Sequence, residues 1–121
     1  MNPRPLLLAA ILVSAALVSA AGAALAHHGW GSYDAGKKFT ITSPVETLAW
    51  QNPHVHVTVK HEGGTWEAVL APPFRMDARG LNPDLIKAGT SVTLEGYPST
   101  RTERELRAER ITVAGKTYEL R

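Results

Sequence analysis

The sequence contains no cysteine. That absence excludes a disulfide framework, a zinc ribbon, thiol redox chemistry and a lipid-bearing cysteine together. Methionine is nearly missing as well, with Met1 and Met76 only, and a lone Met76 in a Pro-rich connection reads as a filler of packing space. Neither sign of charge dominates, since 13 Lys and Arg face 11 Asp and Glu. This near-neutrality argues against an electrostatic nucleic-acid binder. There is no glycine-rich phosphate loop, no Ser/His/Asp order and no paired-carboxylate pattern, so neither a kinase nor a hydrolase is supported.

What the sequence does have is one long apolar run, Leu6 to Ala26, interrupted only by Ser14 and Ser19. Arg4 precedes it and Ala24-Leu25-Ala26 ends it, which is the pattern of a secretory signal with an A-x-A cleavage site. An uncleaved membrane anchor is the competing reading, because about 20 apolar residues can span a bilayer. Cleavage after Ala26 would place the protein in the periplasm, with no membrane span left. It would leave 95 of the 121 residues, enough for one small domain. His27 would then carry a free α-amino group beside its imidazole. The expected organisation is a signal peptide over 1–26, a histidine and aromatic arm over 27–38, and one domain over 39–121.

The domain reads as strands. Phe39 to Trp50 is β-rich, with Pro44 marking a bend or an edge. After the Asn52-Pro53 turn, His54 to Lys60 alternates strictly, placing Val55, Val57 and Val59 on one face and His54, His56, Thr58 and Lys60 on the other. Gly63-Gly64 closes a hairpin into Thr65 to Leu70, with Trp66, Ala68 and Leu70 inward. Pro72-Pro73 ends that strand, and a connection carrying Arg75, Met76 and Asp77 follows. Asn82 to Gly89 has a capping Asn, a Pro suited to the first helical position and a C-terminal Gly, so a short helix is expected there. Ser91 to Tyr97 and Glu105 to Val113 are further strands. The apolar parity of the latter shifts between Leu106/Ala108 and Ile111/Val113, which predicts a β-bulge near Glu109 and Arg110. A last short strand covers Thr117 to Leu120.

A single helix between the third and fourth principal strands is the order of an OB-fold. The expected class is therefore all-β with one short helix, a small OB-fold-like Greek-key barrel of five to six strands. An open β-sandwich is the alternative.

Histidine is the main chemical resource, with five in the chain. His54 and His56 leave the same strand face with α-carbons roughly 6.5 Å apart, so both rings can converge on one ion. His27 could bind a metal through both its amine and its ring, as in a histidine brace, and His28 is a further donor. His27, His28, His54 and His56 are thus the candidate ligands, for copper or zinc. His61 lies at the far end of the strand and is left out. Arg101, Arg104, Arg107 and Arg110, interleaved with Glu103, Glu105 and Glu109, read as a solvated mixed-charge strand. Trp50 and Trp66 read as core.

In His27-His28-Gly29-Trp30 after a signal peptide, Trp50-Gln51-Asn52-Pro53-His54-Val55, Gly96-Tyr97-Pro98, Arg107-Ala108-Glu109-Arg110-Ile111 and Tyr118-Glu119-Leu120-Arg121, the sequence resembles an uncharacterised family of small secreted bacterial proteins. That resemblance implies secretion and a single compact domain, and brings no activity with it. In general plan the sequence is also similar to periplasmic OB-fold proteins and to the OB-fold copper chaperones of efflux systems, which use one His, two Met and a Trp. It departs from the chaperones in offering Met76 alone, which points to nitrogen ligands for Cu²⁺ or Zn²⁺. His27 resembles the first residue of histidine-brace copper proteins. Three functions follow as expectations: a periplasmic metal-binding module without chemistry on a substrate, a metal-free domain binding an envelope protein or small ligand, and a copper-brace redox enzyme.

Overall fold

The computed structural model describes residues 29–121. His27, His28 and the apolar run lie outside the described residues. The chain divides into two units, Met1–Ser32 and Tyr33–Arg121. Of the first, the described part is a single 3₁₀ turn, Trp30–Ser32, in which the Ser32 N–H donates to the Gly29 carbonyl.

The second unit is all-β with one short helix. Its strands are β1 (Phe39–Pro44), β2 (Thr47–Ala49), β3 (His56–His61), β4 (Gly64–Val69), β5 (Ser91–Pro98), β6 (Glu105–Val113) and β7 (Lys116–Glu119). They pair in the order β1-β5-β6-β4-β3-β2, and β7 adds to β6. All pairings are antiparallel except β4 with β6.

The two ends of that order are successive pieces of one bent strand. Pro44 has no N–H to give to a ladder, and the chain turns there. Val45 donates to the Thr90 carbonyl beside β5, while its neighbour Glu46 donates to Thr58 on β3, each at 2.8 Å. Adjacent amides thus serve opposite sides, and the sheet curls into a small OB-fold-like barrel.

Strict alternation fills the interior. Val55, Val57 and Val59 from the β3 region meet Ile41, Ala68, Leu94, Leu106 and Ile111, all essentially excluded from solvent. Each such aliphatic side chain contributes roughly 1.5–3 kcal/mol on burial. Trp50 and Trp66 pack partly buried against this core, as their spacing suggests. Two tight turns hold the register. Glu62 and Gly63 both take positive φ between β3 and β4, and Ala114 and Gly115 do so between β6 and β7, the twist that two-residue hairpins need.

The expected bulge is present. Glu95 pairs with Arg110 and Gly96 with Ala108, leaving Glu109 as the extra residue. Where the strands close up beside it, a Cβ on Gly96 would lie 2.0 Å from the Arg107 carbonyl oxygen. Only glycine fits there.

The helix is elsewhere than the sequence suggests. The helix α1 is Pro73–Ala78, and Asn82–Gly89 holds only a 3₁₀ turn, Pro83–Ile86. Asn82 does cap that turn, its side chain accepting from Leu85 N–H at 3.2 Å. Lys87 is already extended, so the turn stops before a second one can form. In α1, Pro73 sits at the first turn, and Gly80 at φ +93 ends it. Leu81 N–H reaches Met76 and Gly80 N–H reaches Asp77, the two bonds of a Schellman cap. Met76 and Leu81 are both buried by the arrangement.

Candidate functional site

Because β3, β4, β6 and β5 lie side by side, register alone sets a row of outward residues. His56 faces Val69, Val69 faces Arg107, and Arg107 faces Tyr97. The next row runs Thr58, Glu67, Glu105. His54 precedes β3 with the same parity as His56, so both histidines belong to this outer face.

The two rings have different partners. His56 Nδ1 lies 2.6 Å from Glu67 Oε1, one diagonal step away on β4. A carboxylate only accepts, so Nδ1 carries the proton and the neutral ring's lone pair is at Nε2. His54 Nε2 is 3.3 Å from Arg107 Nη2. Guanidinium only donates, so here Nε2 accepts and His54 is neutral. Burial holds the His54 pKa below its ordinary value, and the charges of Arg107, His56 and Arg75 add to this. The same field opposes a cation at that ring.

Arg107 is the centre of the arrangement. Although it lies on the outer side of β6, it is only 5% exposed, and burial lowers its pKa from the ordinary arginine value. It remains a cation. The Tyr33 ring lies 6.0 Å from its guanidinium carbon, and the Tyr33 hydroxyl donates to Glu105 Oε2 at 2.9 Å. Burial and then Glu105 push the Tyr33 phenol up to about 12. The reading of Arg107 as part of a solvated mixed-charge strand is therefore corrected: covered by Tyr33 and bonded to His54, it is a buried charge held by partners from separate segments.

Beyond Arg107 the chain covers its own barrel. Tyr33 bridges to Ser99, and Asp34 N–H donates to the Pro98 carbonyl. Lys38 reaches Glu95 at 3.1 Å and the bulged Glu109 at 3.2 Å. Arg110 joins Glu95 and Glu119, each at 3.0 Å. On the other side, the outer face of β3 and β4 stays open. An open groove of about 480 Å³ is floored by Thr58, Thr65 and Glu67 and walled by Thr102–Glu105.

Sequence reasoning grouped His54 with His56, and the structure places both on one face with unlike partners. His61, left out of the candidates, lies between the rings of Phe39 and Trp66, at 5.6 Å from each. Glu67, Arg107 and Arg75 were missed as partners of the histidines. For Glu67 the turn decides: Glu62 and Gly63, rather than the expected Gly63-Gly64, are the two turn residues, so His61 faces Gly64 and Glu67 falls on the diagonal to His56. Arg107 and Arg75 approach His54 from distant segments and leave no local pattern.

A family of unknown function, DUF6152, matches residues 14–107. The chain belongs to that family. No curated protein matches it. Among solved structures, it is similar to a ZRD-deleted mutant of TiaS in complex with agmatine, with TM-score 0.50 and 14% identity over 69% of this chain and 26% of that one. A TiaS complex with transfer RNA and ATP gives TM-score 0.48 at 15% identity, over 74% of this chain and 20% of the other. The chain thus spans about a quarter or less of those proteins, and the first likeness is one of fold alone.

Among the described residues no three His, Asp or Glu side chains come together as a metal-binding group. No described helix is long and apolar enough to cross a membrane. What the open face offers chemically is one imidazole, oriented by a carboxylate through Nδ1 and presenting Nε2, beside a groove of threonines and carboxylates.

Proposed function

We propose that this member of the family is a periplasmic metal-binding module that takes up copper, or zinc, at His56. The observation that carries the reading is the 2.6 Å contact between His56 Nδ1 and Glu67. Metal-binding histidines characteristically give their second ring nitrogen to a carboxylate, which fixes the tautomer and raises the basicity of the coordinating nitrogen. His54 enters as the acceptor that Arg107 needs, and is a supporting residue rather than a ligand. His27, with its α-amino group after cleavage, and His28 are the remaining candidate donors on their chemistry.

Calorimetric titration of the processed protein with Cu²⁺ and Zn²⁺ tests this. Binding tighter than about 10 μM, equivalent to about 7 kcal/mol, is expected, together with a loss of about 10- to 100-fold in Glu67→Gln. Affinity unchanged in His56→Ala would sink the proposal, and a His27→Ala/His28→Ala variant reports separately on the N-terminal donors.

The groove favours a second reading, a metal-free module for a small polar ligand or an envelope protein. OB-folds use this same strand face and the neighbouring loop for ligands. Ligand capture that survives His56→Ala and is lost on bulky substitution of Thr58 would select it.

A further inference from the structure

The connection from β4 to β5 and the end of β7 form a surface that neither reading uses. Phe74 on α1 is 68% exposed, an unusual state for a large apolar side chain. The neighbouring Arg75 guanidinium lies 5.8 Å from its ring centre. Arg75 and Arg79 reach across to the last residues of the chain, approaching the Leu120 and Arg121 carbonyl oxygens at 3.4 Å. Gly80 sits beside the Tyr118 ring, and Lys116 lies 5.0 Å above that ring's centre.

The exposed phenylalanine thus has Arg75 beside it, on a helix followed by Arg79 and Gly80, which meet the Tyr118, Lys116 and Arg121 end of the chain, with Asp77 as the acidic side chain on the same helix. Glu119 on β7 is engaged by Arg110. Among the described residues, Arg75, Arg79 and Lys116 form no ion pair within 4.0 Å, while Arg121 lies 3.8 Å from Glu109.

We infer that this surface docks on an anionic lipid bilayer, with Phe74 entering the headgroup region and the basic side chains meeting lipid phosphates. Two observations favour a bilayer over a nucleic acid. The whole chain is close to neutral, whereas affinity for a polyanion needs extended positive charge. An exposed aromatic on a helix carrying basic groups matches an interface that is apolar beneath and negative above. The inference does not depend on metal at His56.

Flotation of the processed protein with vesicles tests it, using phosphatidylcholine alone and phosphatidylcholine with phosphatidylglycerol. Binding to the anionic vesicles is expected, and it should weaken with added salt. Arg79→Glu/Lys116→Glu should reduce it roughly tenfold or more, and Phe74→Ala about fivefold to tenfold, with circular dichroism confirming that each variant is folded. Equal binding to neutral vesicles, or insensitivity to both variants, overturns the inference. So does full competition by soluble glycerophosphate at matched phosphate concentration, which assigns the site to free phosphate, or tighter binding to a single-stranded oligonucleotide.

Discussion

On the β5–β6 side of the barrel the chain covers itself, with Tyr33 against Arg107 and Lys38 clipped between Glu95 and Glu109; on the β3–β4 side it leaves Thr58, Thr65 and Glu67 facing an open groove, with His56 bonded to Glu67. Both sides are built from outward positions of alternating strands and both carry charge. On the covered side the charges answer one another, and the groups that titrate there are held by their partners. Lys38 is held above its ordinary value by hydrogen bonds to Glu95 and Glu109, and Glu95 is held below its own by Lys38. On the open side one ring is oriented but only half used. The two histidines of the His-x-His pair stand on the border: His54 belongs to the covered side through Arg107, and His56 to the open side through Glu67. Two residues of sequence separation, with one parity, thus divide between a guanidinium partner and a carboxylate partner.

That division can be broken experimentally. The largest effect is expected where the two sides share a backbone, at the bulge. Gly96→Ala places a methyl group inside the Arg107 carbonyl and should cost at least about 3 kcal/mol, measured by chemical denaturation. A near-neutral result would mean that the two strands separate easily, and that the covered side does not depend on their close approach. His54→Ala comes next, at about 2 kcal/mol, because it leaves a buried guanidinium short of an acceptor. His56→Ala should stay within about 0.5 kcal/mol of the parent. Equal losses at the two positions would erase the distinction between them. Adding Arg107→Leu to His54→Ala should recover part of the loss, since an apolar side chain no longer needs the acceptor.

A smaller effect is expected from pH. The folded-state pKa of His54 lies below its unfolded value near 6.5. Between those two values the unfolded chain binds more protons than the folded one, so stability falls as pH drops below about 6.5 and is insensitive to His54 above it. Denaturation midpoints taken with chelator present should show this slope, and His54→Gln should flatten it. The smallest change is that of Lys38→Ala. Its ion pairs are solvent-exposed, so a slight loss of thermal stability that vanishes at high salt is expected.

Much of this architecture is written in local pattern. The parity of His54 to Lys60 and the broken parity of Glu105 to Val113 translate directly into β3, β6 and the bulge. Helix placement was harder, because the signals at Asn82 to Gly89 were the conspicuous ones, while those of α1 were divided. Pro72-Pro73 reads first as a strand terminator, and the Schellman cap is carried by Arg79-Gly80-Leu81, where a glycine precedes an apolar residue. Of the site, the shared face of His54 and His56 followed from periodicity, whereas the pairing of His56 with Glu67 did not, because a Gly63-Gly64 turn sets the register of β4 two residues away from the one observed. Nor did Arg107, because the residues that surround it come from the arm, the β3 approach, α1 and β6 itself. No window of sequence holds them together, so its burial is a property of the folded domain alone.

At Glu109 the two-residue rhythm of β6 is interrupted, and this gives the strand a joint. Before it, Glu105 and Arg107 are phased against β4; after it, the same edge is taken by β7. A residue gained or lost at the joint resets the phase of everything downstream while leaving Arg107 aligned with Val69 and His56. Without the extra residue Ile111 and Val113 would turn from the core to solvent, so the bulge is what lets one strand serve both the histidine face and the C-terminal hairpin. The family match, which ends at Arg107, stops just short of that joint.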